Sequence, residues 1–502
     1  SGLSALLVMY RSIEASTPYS IEVQPGDAKV PRGGDQAVHA KLVGFASSDV
    51  SVMMRSTSGG EFERLPLVAS ADATVFDGMM FRLDKSTEYF VESNGVRSKT
   101  YSLSVVDLPT VKQLELEYHF PAYTALPPRK VDYGGDVAAL RGTEVRLHIT
   151  PTMKTPGGQI LFKDGGAAPL TVQADGTLTG SFKLDQSGFY RIELTGPQAE
   201  KVEASPQFTI DVLDDQPPTV SFGKPGRDTA ASPVEEVFLE AKADDDFGIK
   251  QLQLVYTVNG GPQKTVPLFG GSKALTNVNA GHTIYLEELG LKPGDFVSYY
   301  GKATDNDAVA GTKTASSDIY FVQIRPFKKD YKPAQSQAQR GGGGGGGQQQ
   351  NVGDLSRQQR EIVAATFNTV RDKTKTKADK YRENVVFLNL AQAKLRAQVD
   401  ELVEKLEARL GALGGNEGSF REILDMLPKA ANEMKLAEAD LKALKPDAAL
   451  APEQRALKIL QEAEQKYETT VTAQQGGGGG GGGAQQSQMA EDLADLFELE
   501  MD

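Results

Sequence analysis

The 502-residue sequence contains no cysteine and no tryptophan, and only four histidines. Without thiols there is no disulfide, no thiolate nucleophile and no cysteine-ligated zinc or iron–sulfur centre. Lack of cysteine in so large a chain argues against a disulfide-stapled secreted scaffold and favours a bacterial envelope protein. The histidines, His39, His119, His148 and His282, are scattered. No His-Glu-x-x-His helix and no Gly-x-Ser-x-Gly elbow occurs, so each histidine reads as a strand or surface residue. Long apolar runs are also missing. Spanning a bilayer takes roughly 18 to 20 apolar residues. Ala5 to Tyr10 is far shorter, and it has neither the charged start nor the cleavage site of a signal peptide. The chain starts at Ser1 and ends at Asp502 within a helical pattern. It therefore reads as a processed product or a piece of a longer polypeptide, with any membrane anchor outside it.

Excess positive charge is missing too. The formal net charge is -13 and the sequence pI is about 5.1, which disfavours nucleic acid as a partner. The length calls for about three to five domains. Up to about residue 328, short runs alternate apolar and polar residues, as in Gln251-Leu252-Gln253-Leu254-Val255-Tyr256. This is the two-residue period of half-buried strands.

Two motifs repeat. Tyr101 to Val111 matches Phe208 to Val220, and Ile319 to Pro326 is a third copy; Pro109, Pro218 and Pro326 recur about every 109 residues. Leu83-Asp84-Lys85-Ser86-Thr87-Glu88-Tyr89 recurs as Leu184-Asp185-Gln186-Ser187-Gly188-Phe189-Tyr190. A third version, Leu291-Lys292-Pro293-Gly294-Asp295, leads to Tyr299 and Tyr300. A turn followed by a tyrosine marks entry to the penultimate strand of an immunoglobulin-like sandwich, with the hydroxyl pinning the adjoining corner. Three tandem all-β immunoglobulin-like sandwiches are therefore predicted, over 17–109, 110–218 and 219–327, after an N-terminal segment 1–16. Proline-stiffened joints should make them a rod.

A Gly/Gln-rich linker, 328–353, follows; it contains the glycines 341–347 and is preceded and entered by Arg325, Lys328, Lys329, Lys332 and Arg340. The basic residues read as a solvated linker or a patch for anionic lipid. A helical region, 354–475, comes next, then a second glycine-rich linker, 476–486, and the start of a further helix, 487–502. Flexible linkers of this composition should let the two halves reorient. Ser356 with Gln359, and Ser419 with Glu422, have capping-box spacing. Gly414-Gly415 separates two helices, Pro452 suits a first turn, and Pro428 should kink or reset its helix. Leu388, Ala391, Leu395, Val399, Leu402, Leu406, Leu410 and Leu413 form a stripe with an 11-residue period. Such a stripe needs a partner: an α-helical hairpin with 419–445, or a coiled coil with another chain.

One acidic constellation stands out. Asp244-Asp245-Asp246 and Asp305-Asn306-Asp307 each follow a predicted strand. As loops at one pole of the third sandwich they would converge as an oxygen-only ligand set suited to Ca²⁺. Exposed turn residues are the plain alternative. No catalytic residue and no other cofactor is read from the sequence. The proline-rich stretch Pro121 to Pro128 reads as a loop closing one edge of the second sandwich.

Several segments resemble the DUF4175 proteins, a bacterial envelope family. They are Leu114 to Thr124 with Leu126-Pro127-Pro128-Arg129, Ala138 to Thr143, Thr150 to Gly158 and Leu355 to Val363. The resemblance spans essentially the whole chain. It implies N-terminal transmembrane helices, lacking in this sequence, then a β-rich ectodomain and a long helical part, with no assigned catalytic residues. The expectation is a non-enzymatic structural or interaction protein of the cell envelope, periplasmic or extracellular. Its partners would be other envelope proteins or itself as a homo-oligomer, and it would meet the membrane through a segment not present here. The rivals are an accessory region of a larger membrane-anchored enzyme and a surface-glycan-binding module, the latter disfavoured by the missing tryptophan.

Overall fold

Alternation along Gly34–Val43 turns Val38, Ala40 and Leu42 inward and leaves the residues between them outside. The same pattern recurs through the β part of the computed structural model, which describes residues 19–327, 354–412 and 418–476. Segment 1–16, the linker 328–353 with its lysines, Arg340 and glycines, Gly414-Gly415 and the region 477–502 lie outside the described residues. Among the described residues the chain is β-rich, with several sheets and four C-terminal helices. Its described residues form two compact units: residues up to Phe120 with Pro127–Leu213, and Pro121–Leu126 with Asp214 onward.

The β part has three separate apolar cores, built from residues 21–103, 114–210 and 222–324. Around the first, Ser20–Gln24, Gly34–Val43, Val75–Leu83 and Val68–Ala69 form one sheet. Ala28–Pro31, Tyr101–Val106, Thr87–Ser93, Ser51–Ser56 and Glu63–Pro66 form the other. The opening strand is thus split between sheets. Its first half pairs antiparallel with Gly34–Val43, and its second half pairs parallel with the closing strand. The split recurs twice. Val111–His119 pairs with Glu144–Pro151 while Val137–Leu140 runs parallel to Phe208–Leu213. Thr219–Lys224 pairs with Glu236–Val258 while Thr229–Ala231 runs parallel to Tyr320–Ile324.

Two side-chain clamps recur with the split. Asp27, Asp136 and Asp228 accept the N–H of Ser102, Thr209 and Phe321 on the closing strand at 2.7, 2.8 and 3.0 Å. Ser98, Ser205 and Ser317 accept the N–H of Val91, Ile192 and Gly301 at 2.9, 2.8 and 2.9 Å. Each hydroxyl donates onward to a carbonyl, that of Lys99, Pro206 or Asp318. Backbone groups that the ladder leaves free are satisfied the same way three times.

The tyrosines are placed differently from the sequence reading. The Tyr89 and Tyr190 rings pack in the core as predicted. Their hydroxyls, however, donate to the carbonyls of Gly26 and Gly135 at 2.8 and 2.5 Å. These carbonyls lie at the bend of the split strand, not at the adjoining corner. Gly26 adopts φ +78°, and a Cβ there would meet the Tyr101 ring at 3.3 Å, so the bend needs glycine. Tyr299 is equally buried, against Phe222 and Tyr320, but its hydroxyl has no hydrogen-bond partner among the described residues.

Around the third core the strands run on. Glu236–Val258 has 23 residues and Lys264–Tyr285 has 22, paired as one long hairpin. The predicted loop at Asp244-Asp245-Asp246 is instead a bulge inside the first of these. The register shifts between Asp244 and Ile249, and Asp245 accepts the N–H of Phe247 and Gly248 at 3.0 and 2.7 Å. The stretch Pro121 to Pro128 leads into the strand Arg129–Val131. It holds a short 3₁₀ turn, Ala122–Thr124, whose Tyr123 ring meets Phe247 edge-on.

The four helices are α1 (Asp354–Arg371), α2 (Ala378–Ala412), α3 (Gly418–Lys442) and α4 (Pro446–Gly476). The α2 stripe is covered within the chain: Leu395, Val399, Leu402 and Leu406 share a core with Phe420, Ile423 and Leu427 of α3 and Leu460 and Tyr467 of α4. Two local predictions are corrected. Pro428 lies inside an unbroken α3, and Pro452 lies inside α4, whose first residue is Pro446. Ser356 also bonds Glu464 of α4, and Glu422 pairs with Lys466, so both predicted box positions make contacts beyond their own helix. The helices are also not free of the β part. Val363 and Leu457 share a buried cluster with Phe296, Ile319 and Phe321, and the Arg371 guanidinium donates to Asp318 at 2.8 Å. Apolar residues on the outer faces of Phe296–Asp305 and Tyr320–Ile324, which the alternation pattern assigns to solvent, are buried by α1 and α4.

Candidate functional site

The predicted acidic constellation is gathered only in part. Asp305 ends the strand Phe296–Asp305, and the chain turns through Asn306 and Asp307 before Thr314–Ser316 pairs back on that strand. The turn is held by its own side chains. Asp305 accepts the N–H of Lys313 at 2.7 Å and of Asp307 at 3.3 Å, and Asp307 accepts those of Val309 and Ala310 at 2.8 and 3.1 Å. Hairpin geometry then turns the Lys313 side chain back onto the acids. Its Nζ lies 2.8 Å from Asp305, 2.8 Å from Asp307 and 3.1 Å from Asp215. The three carboxylate side chains are 0%, 2% and 2% exposed.

The other predicted ligands point elsewhere. Asp244 pairs with Lys242 and accepts from Asn277; Asp246 is exposed; Asp245 is occupied with the bulge. Asn306 donates to the carbonyls of Tyr123 and Phe247 at 2.9 and 3.2 Å. The place expected for Ca²⁺ thus holds the ammonium of Lys313. Among the described residues no group of three or more His, Cys, Asp or Glu is arranged to hold a metal ion. Asp305, Asp307 and Asp215 thus form an internal ionic knot in which the chain supplies its own cation.

Electrostatics follow from burial. Burial works to lower the Lys313 pKa, but the bonds from Asp305, Asp307 and Asp215 outweigh it and hold the ammonium above its ordinary value. Burial also works to raise Asp307; Lys313 and the N–H groups of Val309 and Ala310 outweigh it, leaving the carboxyl below its usual range. Asp215 goes the other way, raised by burial against a single bond from Lys313. Tyr123, buried beside Asp215 and Asp307, is pushed up to about 12. Asp215 and Lys313 were missing from the sequence reading. The available signal was electrostatic: so dense a buried acidic group needs a cation, and Lys313 is the first lysine after Asp307.

Two other polar features were not predicted. On the second β core, Glu115, Glu117, Lys130, Arg146, His148 and Thr179 line an open cleft of about 660 Å³ on a sheet face. In the helical part, Glu464 accepts the Ser356 N–H at 3.0 Å and its hydroxyl at 2.6 Å. Burial pushes Glu464 up to about 7 against those bonds. It borders a small cavity of about 50 Å³ that also touches Arg360 and the buried amide of Gln461. Deeper, Glu453 accepts from Thr366 at 2.9 Å, and burial raises it well above its ordinary value. Gln359 and Gln392 exchange amide hydrogen bonds at 3.0 and 2.9 Å.

No family model matches the chain, and no curated protein matches it. Among solved structures it is similar to two I-band titin fragments of three immunoglobulin domains, one an E-to-A variant. They are 14% and 13% identical, each covering 62% of this chain and 100% of that one, at a TM-score of 0.18. It is also similar to the FN1–FN3 domains of chicken CNTN1, 13% identical, over 61% of this chain and 98% of that one, at a TM-score of 0.16. At such scores the likeness decides nothing about this chain.

Proposed function

We propose that the chain is a non-enzymatic structural and interaction protein of the bacterial cell envelope, in which three immunoglobulin-like sandwiches present surface to partners and a helical bundle braces the third. The observation that carries this reading is the threefold clamp. The same aspartate and serine side chains fix the closing and penultimate strands at corresponding places in all three β cores. Together with the split opening strand, this is one module written three times, a construction suited to spacing and binding. The buried ionic group of Asp215, Asp305, Asp307 and Lys313 is absorbed in holding a hairpin, a structural task. Placement in the envelope, membership of the DUF4175 family and an anchor in a longer polypeptide rest on the sequence resemblance and the absence of cysteine.

A second reading, surface-glycan binding, is favoured by the cleft of about 660 Å³, whose Glu, Arg, His and Thr side chains suit a hydroxyl-rich ligand. Fractionation of the source bacterium with photo-crosslinking in intact cells tests the first reading. Recovery in the envelope fraction with a defined protein adduct supports it. Recovery in the cytosol, or adducts to polysaccharide alone, overturns it.

A further inference from the structure

Every sheet edge presents unpaired N–H and C=O groups, and proteins keep such edges short or mark them with charge and proline. The terminal strands of the described sheets follow that rule with one exception. The other edge and side strands are two to six residues long. Lys264–Tyr285 has 22 residues and pairs only with Glu236–Val258 among the described residues, so its far edge is open. Its first half is guarded: Lys264, Pro267 and Lys273 lie there, and the ladder shifts register more than once. The second half is not. From 277 to 285 the ladder is unbroken, and Asn277-Val278-Asn279-Ala280-Gly281-His282-Thr283-Ile284-Tyr285 contains no Lys, Arg, Asp, Glu or Pro.

We propose that the open edge of 277–285 is a docking surface for the same edge of a second copy of this chain, paired antiparallel about a two-fold axis at Gly281. The occupant follows from the side chains. A two-fold pairing opposes residues symmetrically about its centre, so Val278 meets Ile284, Asn279 meets Thr283 and Asn277 meets Tyr285 of the other copy. Val278 and Ile284 are both 5% exposed on the core side, so a β-branched pair forms there. Asn279 and Thr283 face outward and make a polar pair, and Gly281 at the centre lets the backbones approach. Inner face continues inner face, so the two sheets merge without exposing a core residue. Self-association of a chain with net charge -13 is opposed wherever acids meet; this strand brings none together. The pairing is short against the roughly 1,200–2,000 Å² of a stable interface, so the dimer is reversible and concentration-dependent. The proposal deepens the assembly reading by naming a surface, and it fails separately: a protein adduct in the envelope does not depend on this edge.

The absence of cysteine makes a register-specific test available. Directly opposed residues of antiparallel strands have Cα atoms about 4.5–5.5 Å apart, within disulfide reach. Asn279→Cys and Thr283→Cys, made as separate full-length chains, are oxidised alone and as a mixture. The mixture is expected to give a covalent dimer, at least tenfold more than either variant alone, and wild-type sedimentation velocity is expected to show a monomer–dimer equilibrium. A wild-type monomer at all concentrations, a dimer without the mixed cross-link, or equal cross-linking in the single variants would each overturn the proposal.

Discussion

Replacing Lys313 by Met removes the cation and leaves the near-isosteric stem, so it tests whether the knot holds the third β core. Asp305, Asp307 and Asp215 would then face one another at 0–2% exposure with no counter-charge. Breaking one partner out of a buried ionic group costs about 3–5 kcal/mol. For a unit of this size that is a fall in Tm of roughly 6–20 °C. Thermal melts followed at 222 nm report on it, because the helices pack on this core. The pH dependence gives the sign. In K313M the uncompensated carboxyls bind protons more tightly folded than unfolded. Their penalty is therefore full at neutral pH and shrinks as pH falls toward 4. The wild type behaves oppositely through Asp307: its lowered pKa contributes stability above the unfolded value, which is lost as pH falls through the folded one. Adding D307N to K313M should recover part of the loss at pH 7. A loss below about 1 kcal/mol at pH 7, or one indifferent to pH, would refute the reasoning and put the acids in contact with water.

Glu464, raised by burial to about 7, makes wild-type stability fall as pH rises from its unfolded value near 4.5 to about 7. E464Q is expected to flatten that slope and to gain on the order of 1–2 kcal/mol at pH 8, measured by urea unfolding. Y89F and Y190F each strand a carbonyl and should cost about 1 kcal/mol, whereas Y299F removes an unpartnered buried hydroxyl and should be neutral or stabilising. A common cost in all three variants would contradict the distinction.

Much of the β part was legible because its signals are local and repeated. Alternation marked the strands, and the recurring Leu-Asp…Ser…Tyr segment marked the entry to the penultimate strand. The Tyr hydroxyl partners were not legible, since Gly26 and Gly135 lie far upstream of Tyr89 and Tyr190 and only the folded chain brings them close. Asp244-Asp245-Asp246 misled for a related reason. Acidic residues favour turns, yet here the long hairpin continues and Asp245 satisfies the bulge from within. The helix stripe correctly demanded a partner, and α3 and α4 supply it. Docking on the third β core was hidden because Phe296 and Phe321 sit at strand positions that the alternation assigns to solvent, and only the folded chain brings Val363 and Leu457 onto them. Pro428 and Pro452 show packing overriding local preference.

The central claim is that one module, locked by one set of side-chain clamps, is repeated three times. An experimental electron-density map of residues 19–327 tests it most directly. Ser98, Ser205 and Ser317 are predicted to accept the N–H of Val91, Ile192 and Gly301 in three separate β cores. A map in which any of these serines faces solvent, or in which two of the cores merge into one, would contradict the account.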